Sequence, residues 1–447
     1  MPVTPGVALL AISAVLLATA WIVLGVLLRR AARNIPALAA ALGAGAPLPG
    51  PPRRRASLSV VVTARDEAAS IGTTVRRLLG QRYPEMEVIA VDDRSSDGTA
   101  GILDRLKAEC GPAPGAHGRP GPELVVIHIR DLPRGWLGKC HACHTGASRA
   151  RGEWILFLDG DVEVADDELL ARVVALAEEH RIDHIAVIPD QRPVSPMQAA
   201  LLAVFAQMYL LAARLYEMHR DLRRGGAGIG AFNLVRRAAY DRIRGHTLLK
   251  LDPTDDFKLG RLLKESGARQ RFFDGLGLVR CPWHRGALNV ARGLEKNFFA
   301  GFAYSVTELI AFTGLALFLA FGPAVAGAAA GFPAFASLPA AGGNPAAGSL
   351  LTAGPGRAAA ALIGWLPLAL QALVVWTGFR THTRRHGGNA FLLSALYPAA
   401  VLLLLAAAWN SAVRVLARGG VVWRDTFYPL AELRAGLVRA GAGRPLG

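Results

Sequence analysis

The sequence predicts an α/β protein with a mostly parallel sheet and transmembrane helices at both ends of the chain. Three observations lead to this fold class. Apolar runs of strand length alternate with helical patterns between residues 57 and 290, which is typical of a parallel sheet. Carboxylate pairs follow several of these runs. Long apolar segments stand before residue 33 and after residue 301, and each is long enough to cross a bilayer.

Composition divides the chain of 447 residues into five parts. We predict a transmembrane anchor over 1–33, a Pro/Gly/Arg-rich linker over 34–56, the sheet domain over 57–300, a transmembrane region over 301–413 and a basic tail over 414–447. Apolar residues make up 52% of the chain and the net charge is +16. A basic chain can bind phosphates or anionic lipids. We expect no nucleic-acid partner, because no basic module with interleaved aromatic residues is present.

The first apolar run, Val7–Leu28, has no positive charge before it and is followed by Arg29, Arg30 and Arg33. The positive-inside rule therefore predicts an external amino terminus and a cytoplasmic sheet domain. We expect a multi-pass protein of the cell (inner) membrane.

Three further spans are predicted at Ser305–Ala330, Ala358–Phe379 and Ala390–Val413. The uncharged segment Gly331–Gly356 is predicted to be an external loop. The tail then conflicts with the positive-inside rule. If the last segment crosses the membrane once, the arginines of the tail lie outside. Either the tail is external or one segment does not cross, and Pro398 could bend the last segment into a re-entrant hairpin.

A fifth apolar stretch, Met197–Leu215, has three interpretations: a span, an interfacial helix or a core helix. A span would put the carboxylates before and after it on opposite sides of the membrane, so that they could not share a site. An interfacial or core helix is therefore preferred.

The segment Cys140–His144 matches C-x-x-C-H, the attachment pattern of c-type haem. Zinc binding would need a second ligand pair at suitable spacing, and none is present. Two small cysteines packed on a helix are the preferred interpretation. The chain has four cysteines, too few for a disulfide framework, which favours free thiols in the cytosol.

Carboxylates follow three predicted strands, Leu58–Thr63, Val88–Val91 and Trp154–Leu158. Parallel strands bring their carboxyl ends to one edge of the sheet, where such sheets bind ligands. These carboxylates are Asp66 and Glu67, Asp92 and Asp93, and Asp159 and Asp161. An Asp-Gly-Asp sequence supplies the oxygen ligands that a hard divalent cation prefers, and a later pair, Asp255-Asp256, can supply a base.

Two of these pairs also have a simpler interpretation. Asp92-Asp93 precedes Ser95 and Ser96 and could form a turn and a helix cap. Asp255-Asp256 could cap a helix over Phe257–Ser266. Glycines between residues 225 and 230 either allow close approach of a ligand or form a flexible loop.

The motifs SVVVTARDEAASI, VIAVDDRSSDGT, GKCHACHTGASRARGEWILFLDGDV and DPTDDFKLGRLLKESG stand in this order. Together they resemble family 2 glycosyltransferases of the GT-A fold, a nucleotide-sugar-binding domain, over most of residues 57–290. Within that family, GWLGKCHACHTG and VVWRDTFYPL resemble the hopanoid-associated glycosyltransferases, a membrane-anchored group.

The resemblance implies a role for each matching residue on the donor side. Arg65 and Glu67 would line the base and ribose pocket, and Asp93 would bind the uracil ring with Asp92 nearby. Lys139 would reach the base or the diphosphate.

The resemblance also implies the catalytic groups. Asp161 would coordinate Mg²⁺ or Mn²⁺, and Asp159 would contact the ribose or the metal. Asp256 would deprotonate the acceptor hydroxyl, with Asp255 as its neighbour.

Processive synthases of this superfamily carry a Gln/Arg-x-x-Arg-Trp motif, and this chain contains no Arg-Trp dipeptide. Arg292 and Lys296 stand in the corresponding segment and could contact the diphosphate. We therefore expect transfer of one sugar from a UDP- or GDP-linked donor. The acceptor is expected to be a lipid, because spans flank the catalytic domain on both sides. A processive polysaccharide synthase and a non-catalytic membrane assembly protein are the alternatives.

Overall fold

The computed structural model describes residues 5–43, 56–110, 122–218, 220, 222–282, 284–335 and 355–438. Most of the predicted linker and of the predicted external loop lies outside these residues. The chain forms two compact units. The sheet unit contains Arg30–Pro193, Tyr209–Tyr304 and Asn410–Gly447, and the helical unit contains Met1–Arg29, Val194–Met208 and Ser305–Trp409.

A seven-stranded sheet forms the centre of the sheet unit, with the strand order β3-β2-β1-β4-β7-β6-β8. The strands of the chain are β1 (Leu58–Ala64), β2 (Met86–Asp93), β3 (Glu123–Ile129), β4 (Trp154–Asp159), β5 (Glu163–Val164), β6 (His184–Ile188), β7 (Asn233–Arg236), β8 (Gln270–Asp274), β9 (Val279–Arg280), β10 (Gly420–Trp423) and β11 (Thr426–Pro429). Within the large sheet, β7 is antiparallel to both of its neighbours and the other pairs are parallel. The predicted α/β class with a mostly parallel sheet is therefore confirmed.

Helices cover both faces of the large sheet, because its strands are apolar on both sides. The helices of the chain are α1 (Pro5–Arg33), α2 (Leu38–Ala41), α3 (Ile71–Leu79), α4 (Thr99–Glu109), α5 (Gly138–Arg149), α6 (Leu169–Glu179), α7 (Pro196–Ala212), α8 (Arg237–Arg242), α9 (Asp255–Glu265), α10 (Ala287–Gly293), α11 (Phe298–Gly301), α12 (Val306–Phe335), α13 (Pro355–His386), α14 (Ala390–Arg418) and α15 (Leu430–Gly436). On β1, Val60 and Val62 share a buried apolar cluster with residues of α3 and α6. Val61 points the other way, into a cluster with residues of α5, as the two-residue period of a strand requires.

Four helices are long and apolar enough to cross a membrane within the described part of the chain: Leu9–Arg33, Val306–Ala330, Leu362–Arg384 and Ala390–Arg418. They indicate a multi-pass membrane protein. In the helical unit, the indole of Trp21 donates to the carbonyl of Leu319 at 3.2 Å. The Gln371 amide donates to the carbonyl of Ala320 at 2.8 Å. These bonds satisfy polar side chains inside an otherwise apolar unit.

The tail departs from the sequence interpretation, which treated residues 414–447 as a basic extension. Its described residues, up to 438, complete α14 and then form the β10–β11 hairpin and α15. All of them belong to the sheet unit. Strand β7 was also not predicted from the sequence. It has only four residues and follows a glycine-rich segment, so that it forms no apolar run.

Candidate functional site

The candidate site lies at the carboxyl ends of β1, β2 and β4, the neighbouring parallel strands at the centre of the sheet. A cavity of about 230 Å³ opens there. Among the residues singled out from the sequence, its lining includes Arg65, Glu67, Asp93, Lys139, Asp159, Asp161 and Lys296. Strand ends far apart in sequence thus bring acidic and basic side chains to one place, as the parallel topology predicts.

Asp92 and Asp93 end β2 and face in opposite directions. Asp93 lines the cavity, and its carboxylate lies 2.8 Å from Arg94 Nε and 3.7 Å from Arg65 Nη1. Asp92 instead accepts a hydrogen bond from the Ser95 amide at 3.1 Å and contacts His128 Nδ1 at 3.0 Å. The turn interpretation therefore describes Asp92, whereas Asp93 lies at the cavity between two guanidinium groups.

Lys139, in the first turn of α5, is the cationic centre of the acidic cluster. Its Nζ lies 2.7 Å from Asp159 Oδ1. Burial acts to lower the pKa of Lys139, but the carboxylates of Asp159, Asp255 and Asp256 outweigh burial and raise this pKa well above its ordinary value. Lys139 therefore keeps its positive charge over the working pH range, where it can attract an anionic group.

Asp161 supplies the second carboxylate of the Asp-Gly-Asp sequence. The Cys281 thiol donates to its carboxylate at 3.7 Å. Burial, and next the charge of Asp159, raises the pKa of Asp161. Within the described residues, no basic side chain forms an ion pair with Asp161.

The two carboxylates of this sequence therefore have one close cation, Lys139, and a surplus of negative charge. Both are oxygen ligands, and both line a cavity with room for further ligands. The donor set fits a hard divalent cation such as Mg²⁺ or Mn²⁺, which needs additional oxygen ligands from water or from substrate phosphates.

Asp255 and Asp256 begin α9 and line a smaller cavity of about 10 Å³ beside the first. This space is enough for about one water molecule. Asp256 Oδ2 accepts a hydrogen bond from the Gly230 amide at 2.7 Å, and Oδ1 accepts one from the Phe257 amide at 2.7 Å. The Gly230 carbonyl in turn accepts a bond from the Asp159 amide at 3.2 Å. Asp159 of the Asp-Gly-Asp sequence and Asp256 thus both form hydrogen bonds with the backbone of Gly230.

Gly230 lies close to three charged side chains. A Cβ atom there would lie 2.7 Å from Asp159 Oδ2, 2.9 Å from Lys139 Nζ and 3.2 Å from Asp256 Oδ2. A side chain at this position would therefore make the ends of Asp159 and Lys139 shift, which would change the geometry of the acidic cluster.

The two acids of α9 differ in their surroundings. Burial acts to raise the pKa of Asp255, but the charge of Lys139 and the hydrogen bond from His246 outweigh it and lower that pKa. Burial raises the pKa of Asp256 to about 6, with Lys139 opposing and the charges of Asp255 and Asp159 adding to the rise. Such a carboxylate is suited to accept a proton near neutral pH.

The pKa of Asp256 leads to a pH prediction. A base works only when deprotonated, and for a pKa of about 6 the deprotonated fraction rises about tenfold between pH 5 and pH 7. We expect kcat for a hydroxyl acceptor to rise by the same factor and then level off. A pH profile of kcat at saturating donor measures this, and a profile flat from pH 5 to 7 would contradict it.

Several cavity residues were missed by the sequence analysis. They are Arg94, Cys281, His284, Trp423, Arg424 and Tyr428. Arg94 directly follows the Asp-Asp pair, and the Trp-Arg-Asp sequence of the tail was noted only as a family resemblance. By contrast, Arg292 is exposed on α10 and does not line either cavity.

The C-x-x-C-H segment lies in α5, and the side chains of Cys140 and Cys143 are both buried. The Cys140 thiol donates to the Asp252 carbonyl at 3.6 Å, and Cys143 belongs to the apolar cluster beneath the sheet. A haem bound through both sulfurs would need open space beside them. Their placement agrees with the preferred interpretation of two small cysteines packed on a helix.

The apolar stretch Met197–Leu215 forms α7 and a short 3₁₀ turn. Its first part is buried, including Leu202 and Val204. Its end belongs to the sheet unit, where the Tyr209 hydroxyl donates to the Gly228 carbonyl at 2.6 Å. Since Asp159 and Asp256 meet at Gly230, α7 cannot separate them by crossing a membrane.

A comparison with known protein families finds a match over part of the chain. Residues 59–244 match the model described as glycosyl transferase family 2. The 4,4'-diaponeurosporenoate glycosyltransferase of Staphylococcus haemolyticus (strain JCSC1435) is 22% identical over 246 residues, which cover 55% of this chain and 62% of that protein. The protein of the same name from Staphylococcus aureus (strain bovine RF122 / ET3-1) is 22% identical over 263 residues, covering 59% and 66%. The chain thus spans just under two thirds of these relatives. Their name gives a carotenoid acid as acceptor and does not support a hopanoid-associated assignment.

Among solved structures, the chain is similar to the mannosyltransferase PcManGT from Pyrobaculum calidifontis in complex with GDP-Man and Mn²⁺. The identity is 17%, the match covers 91% of this chain and 99% of that one, and the TM-score is 0.46.

Proposed function

Because residues 59–244 match the model described as glycosyl transferase family 2, we propose that this chain is a glycosyltransferase that moves a single sugar from a nucleotide-sugar donor to a lipid acceptor, with a divalent cation. The observation that carries the proposal is the meeting of the Asp-Gly-Asp sequence and Asp256 at Gly230. A donor bound at the first group would present its sugar to a base at the second.

The donor is proposed to lie along the large cavity. Arg65 and Glu67 would line the nucleoside end, and Asp93 would accept a hydrogen bond from the base. Lys139 would face the diphosphate, since its ammonium group keeps its charge. Asp159 and Asp161 would hold Mg²⁺ or Mn²⁺, which neutralises charge on the leaving diphosphate.

The acceptor hydroxyl would enter beside Asp256. As its oxygen forms the new bond to the anomeric carbon, its proton passes to the Asp256 carboxylate. The bond from that carbon to the phosphate oxygen breaks, and its electron pair leaves with the nucleoside diphosphate. Asp255, held in its ionised form by Lys139 and His246, adds negative charge that keeps Asp256 basic.

The lipid nature of the acceptor rests on two supports. Long apolar helices precede and follow the catalytic domain in the chain, so that its substrate can come from the bilayer. The relatives are named for a carotenoid acid, an apolar molecule with one polar end. A polyprenyl phosphate, a hopanoid and a carotenoid acid share this character.

A donor panel tests the function. Membranes containing the protein are incubated with UDP- and GDP-linked sugars, Mn²⁺ or Mg²⁺, and each of the three lipid classes. We expect transfer from one donor to a lipid product that carries a single sugar. A product ladder would favour a processive synthase, and the absence of transfer and of donor hydrolysis with every donor would refute the proposal.

We propose a membrane topology in which the tail lies on the cytoplasmic side with the catalytic domain. Hairpin residue Arg424 contacts Asp66 at 3.8 Å within the sheet unit. The chain leaves this unit after Tyr304 and returns at Asn410. An even number of crossings must therefore lie between these residues, although α12, α13 and α14 are all long and apolar.

Contacts inside the helical unit favour α14 as the helix that does not cross. Helices α12 and α13 are antiparallel: Trp365 contacts Gly327, and six residues later Gln371 bonds to the carbonyl of Ala320. The indole of Trp409, near the end of α14, donates to Thr313, close to the start of α12. Helix α13 therefore runs back toward the start of α12, and Trp409 of α14 contacts the first third of α12, with Pro398 between Ala390 and Trp409.

Thiol labelling tests this topology. In a cysteine-free background, a cysteine replacing exposed Ala435 of α15 is expected to react with a membrane-impermeant maleimide only after the cells are permeabilised. A variant that keeps Cys110 as its single cysteine, exposed in the sheet unit, is the matched control for the cytoplasmic side, and Ser349→Cys in the predicted external loop is the control for the outside. Labelling of the Ala435→Cys protein in intact cells would place the tail outside.

A further inference from the structure

The β10–β11 hairpin is the feature that the proposed function leaves unused. It pairs Val421 with Tyr428 and Trp423 with Thr426 in antiparallel register. A two-stranded hairpin is marginally stable alone in water, so that its position depends on what it packs against. In this chain it packs against the loops that surround the donor cavity.

The turn of the hairpin contacts the loops after β1 and β2. Arg424 Nη2 donates to the Arg65 carbonyl at 2.9 Å, and Asp425 forms an ion pair with the Arg65 guanidinium. Arg94 Nη1 donates to Thr426 Oγ1 at 3.5 Å. The hairpin is thereby joined to the two arginines that flank Asp93.

The strands of the hairpin contact the phosphate end of the cavity. Lys296 Nζ lies 4.3 Å from the centre of the Trp423 ring, close enough for a cation–π interaction. The Tyr428 hydroxyl accepts a hydrogen bond from the Gly138 amide, next to Lys139. Trp423, Arg424 and Tyr428 all line the cavity.

Arg424 and Lys296 both line the cavity. The two carboxylate contacts of Arg424 are long, 3.8 Å to Asp66 and 3.9 Å to Glu67, and its side chain is 44% exposed. Burial, and next the charge of Lys139, lowers the pKa of Lys296 to about 8. Two basic side chains thus stand beside a space that has room for an anion.

We propose that the C-terminal hairpin is a wall of the donor site and that Arg424, together with Lys296 held against Trp423, binds the diphosphate of the nucleotide-sugar. This inference rests on the proposed function. The sequence predicted this diphosphate contact for Arg292 and Lys296; Lys296 lines the cavity, whereas Arg292 is exposed outside it. A guanidinium group suits the task because it can donate two parallel hydrogen bonds to a phosphate.

The experiment compares nucleoside diphosphates with monophosphates. Binding of UDP, GDP, UMP and GMP to the detergent-solubilised full chain is measured by titration calorimetry with Mg²⁺ present. A hydrogen-bonded charge pair at the diphosphate predicts that Arg424→Ala weakens diphosphate binding by about 10- to 100-fold. Monophosphate binding should change by less than about threefold, because the nucleoside contacts remain. Arg424→Lys should restore part of the loss, since it keeps the charge but not the fork geometry.

Arg77→Ala is the matched control, because Arg77 is exposed on α3 and lines neither cavity. It should bind all four nucleotides as the wild type does. Unchanged diphosphate binding by Arg424→Ala would overturn the inference. An equal loss for monophosphates and diphosphates would also overturn it, because it would give the hairpin a purely structural role. A wild-type protein that binds none of the nucleotides would refute the proposed function itself.

Discussion

Replacing Asp161 by alanine is expected to abolish metal-dependent donor binding and to lower sugar transfer by about 10³-fold, the scale of a lost electrostatic contact to a leaving group. Asp161 has no ion-pair partner within the described residues, and its pKa is raised by burial and by Asp159. Alanine would therefore remove the contact with the Cys281 thiol but no ion pair of the described residues. The expected use of the Asp161 carboxylate is to bind a cation.

Metal binding gives a readout that does not depend on turnover. Free Mn²⁺ is followed by electron paramagnetic resonance while the protein is added in the presence of UDP or GDP. The wild type should deplete the free ion and the Asp161→Ala protein should not. Asp167→Ala is the control, because Asp167 is an exposed carboxylate paired with Arg82 outside the cavity. If Asp161→Ala still binds Mn²⁺ and nucleotide as the wild type does, Asp161 is not a metal ligand.

The second large effect is expected for Asp256→Asn. Loss of a general base typically lowers the rate by about 10²- to 10⁴-fold, and we expect kcat to fall within this range while donor affinity stays the same. The asparagine keeps one oxygen, which can accept one of the two hydrogen bonds from the Gly230 and Phe257 amides; its NH2 group replaces the other acceptor, so that bond is lost. A thermal melt of the variant therefore accompanies the rate measurement, to separate lost proton transfer from a loosened first turn of α9.

The control for this variant is Asp241→Asn, an exposed carboxylate on α8. Its kcat should equal that of the wild type, and Asp256→Asn with wild-type turnover would remove Asp256 from the role of base. The size of the effect also reports on the acceptor. A phosphate or carboxylate acceptor is already ionised near neutral pH and needs little help from a base, so that the loss should be much smaller than for a hydroxyl acceptor.

The central strands of the sheet were predictable because their signals are local. The segments that became β1, β2 and β4 are continuous apolar runs, and burial on both faces requires such runs. The carboxylates that follow them were predicted to gather at one edge, and the cavity there contains Asp93, Asp159 and Asp161. Strand β7 was not predictable, because a four-residue strand between two neighbours is stabilised by pairing that the local sequence does not reveal.

The distinction between Asp92 and Asp93 also required the structure. The two residues are adjacent in a strand, so that their side chains face opposite sides of the sheet. Either one could have faced the cavity. The register with β3 places Asp92 opposite His128, which binds its carboxylate at 3.0 Å. The neighbouring strand therefore decided which acid remained available at the cavity.

The contribution of the tail lay furthest from what the sequence could show. Arg65 and Asp425 are separated by 360 positions and form an ion pair. The hairpin carries its own signal, a short apolar run on each side of Arg424-Asp425, but nothing in that signal specifies a docking partner. The sequence analysis therefore described residues 414–447 only as a basic tail. Whether residues so far apart in sequence come into contact depends on how the helices between them pack. Local propensities do not determine that packing.

The sequence by itself determined the α/β class, the apolar helices at both ends and the order of the carboxylate motifs along the chain. These features follow from hydrophobic periodicity and from residues at strand ends, which act over a few positions. Only the tertiary structure decided that Asp159 and Asp256 share Gly230, that Asp93 rather than Asp92 lines the cavity and that residues of the β10–β11 hairpin line it too. Each of these features depends on the register of paired strands, on the close approach of two backbone segments or on the packing of segments far apart in sequence. Such contacts are formed between distant segments when they pack, and the separate segments do not specify them.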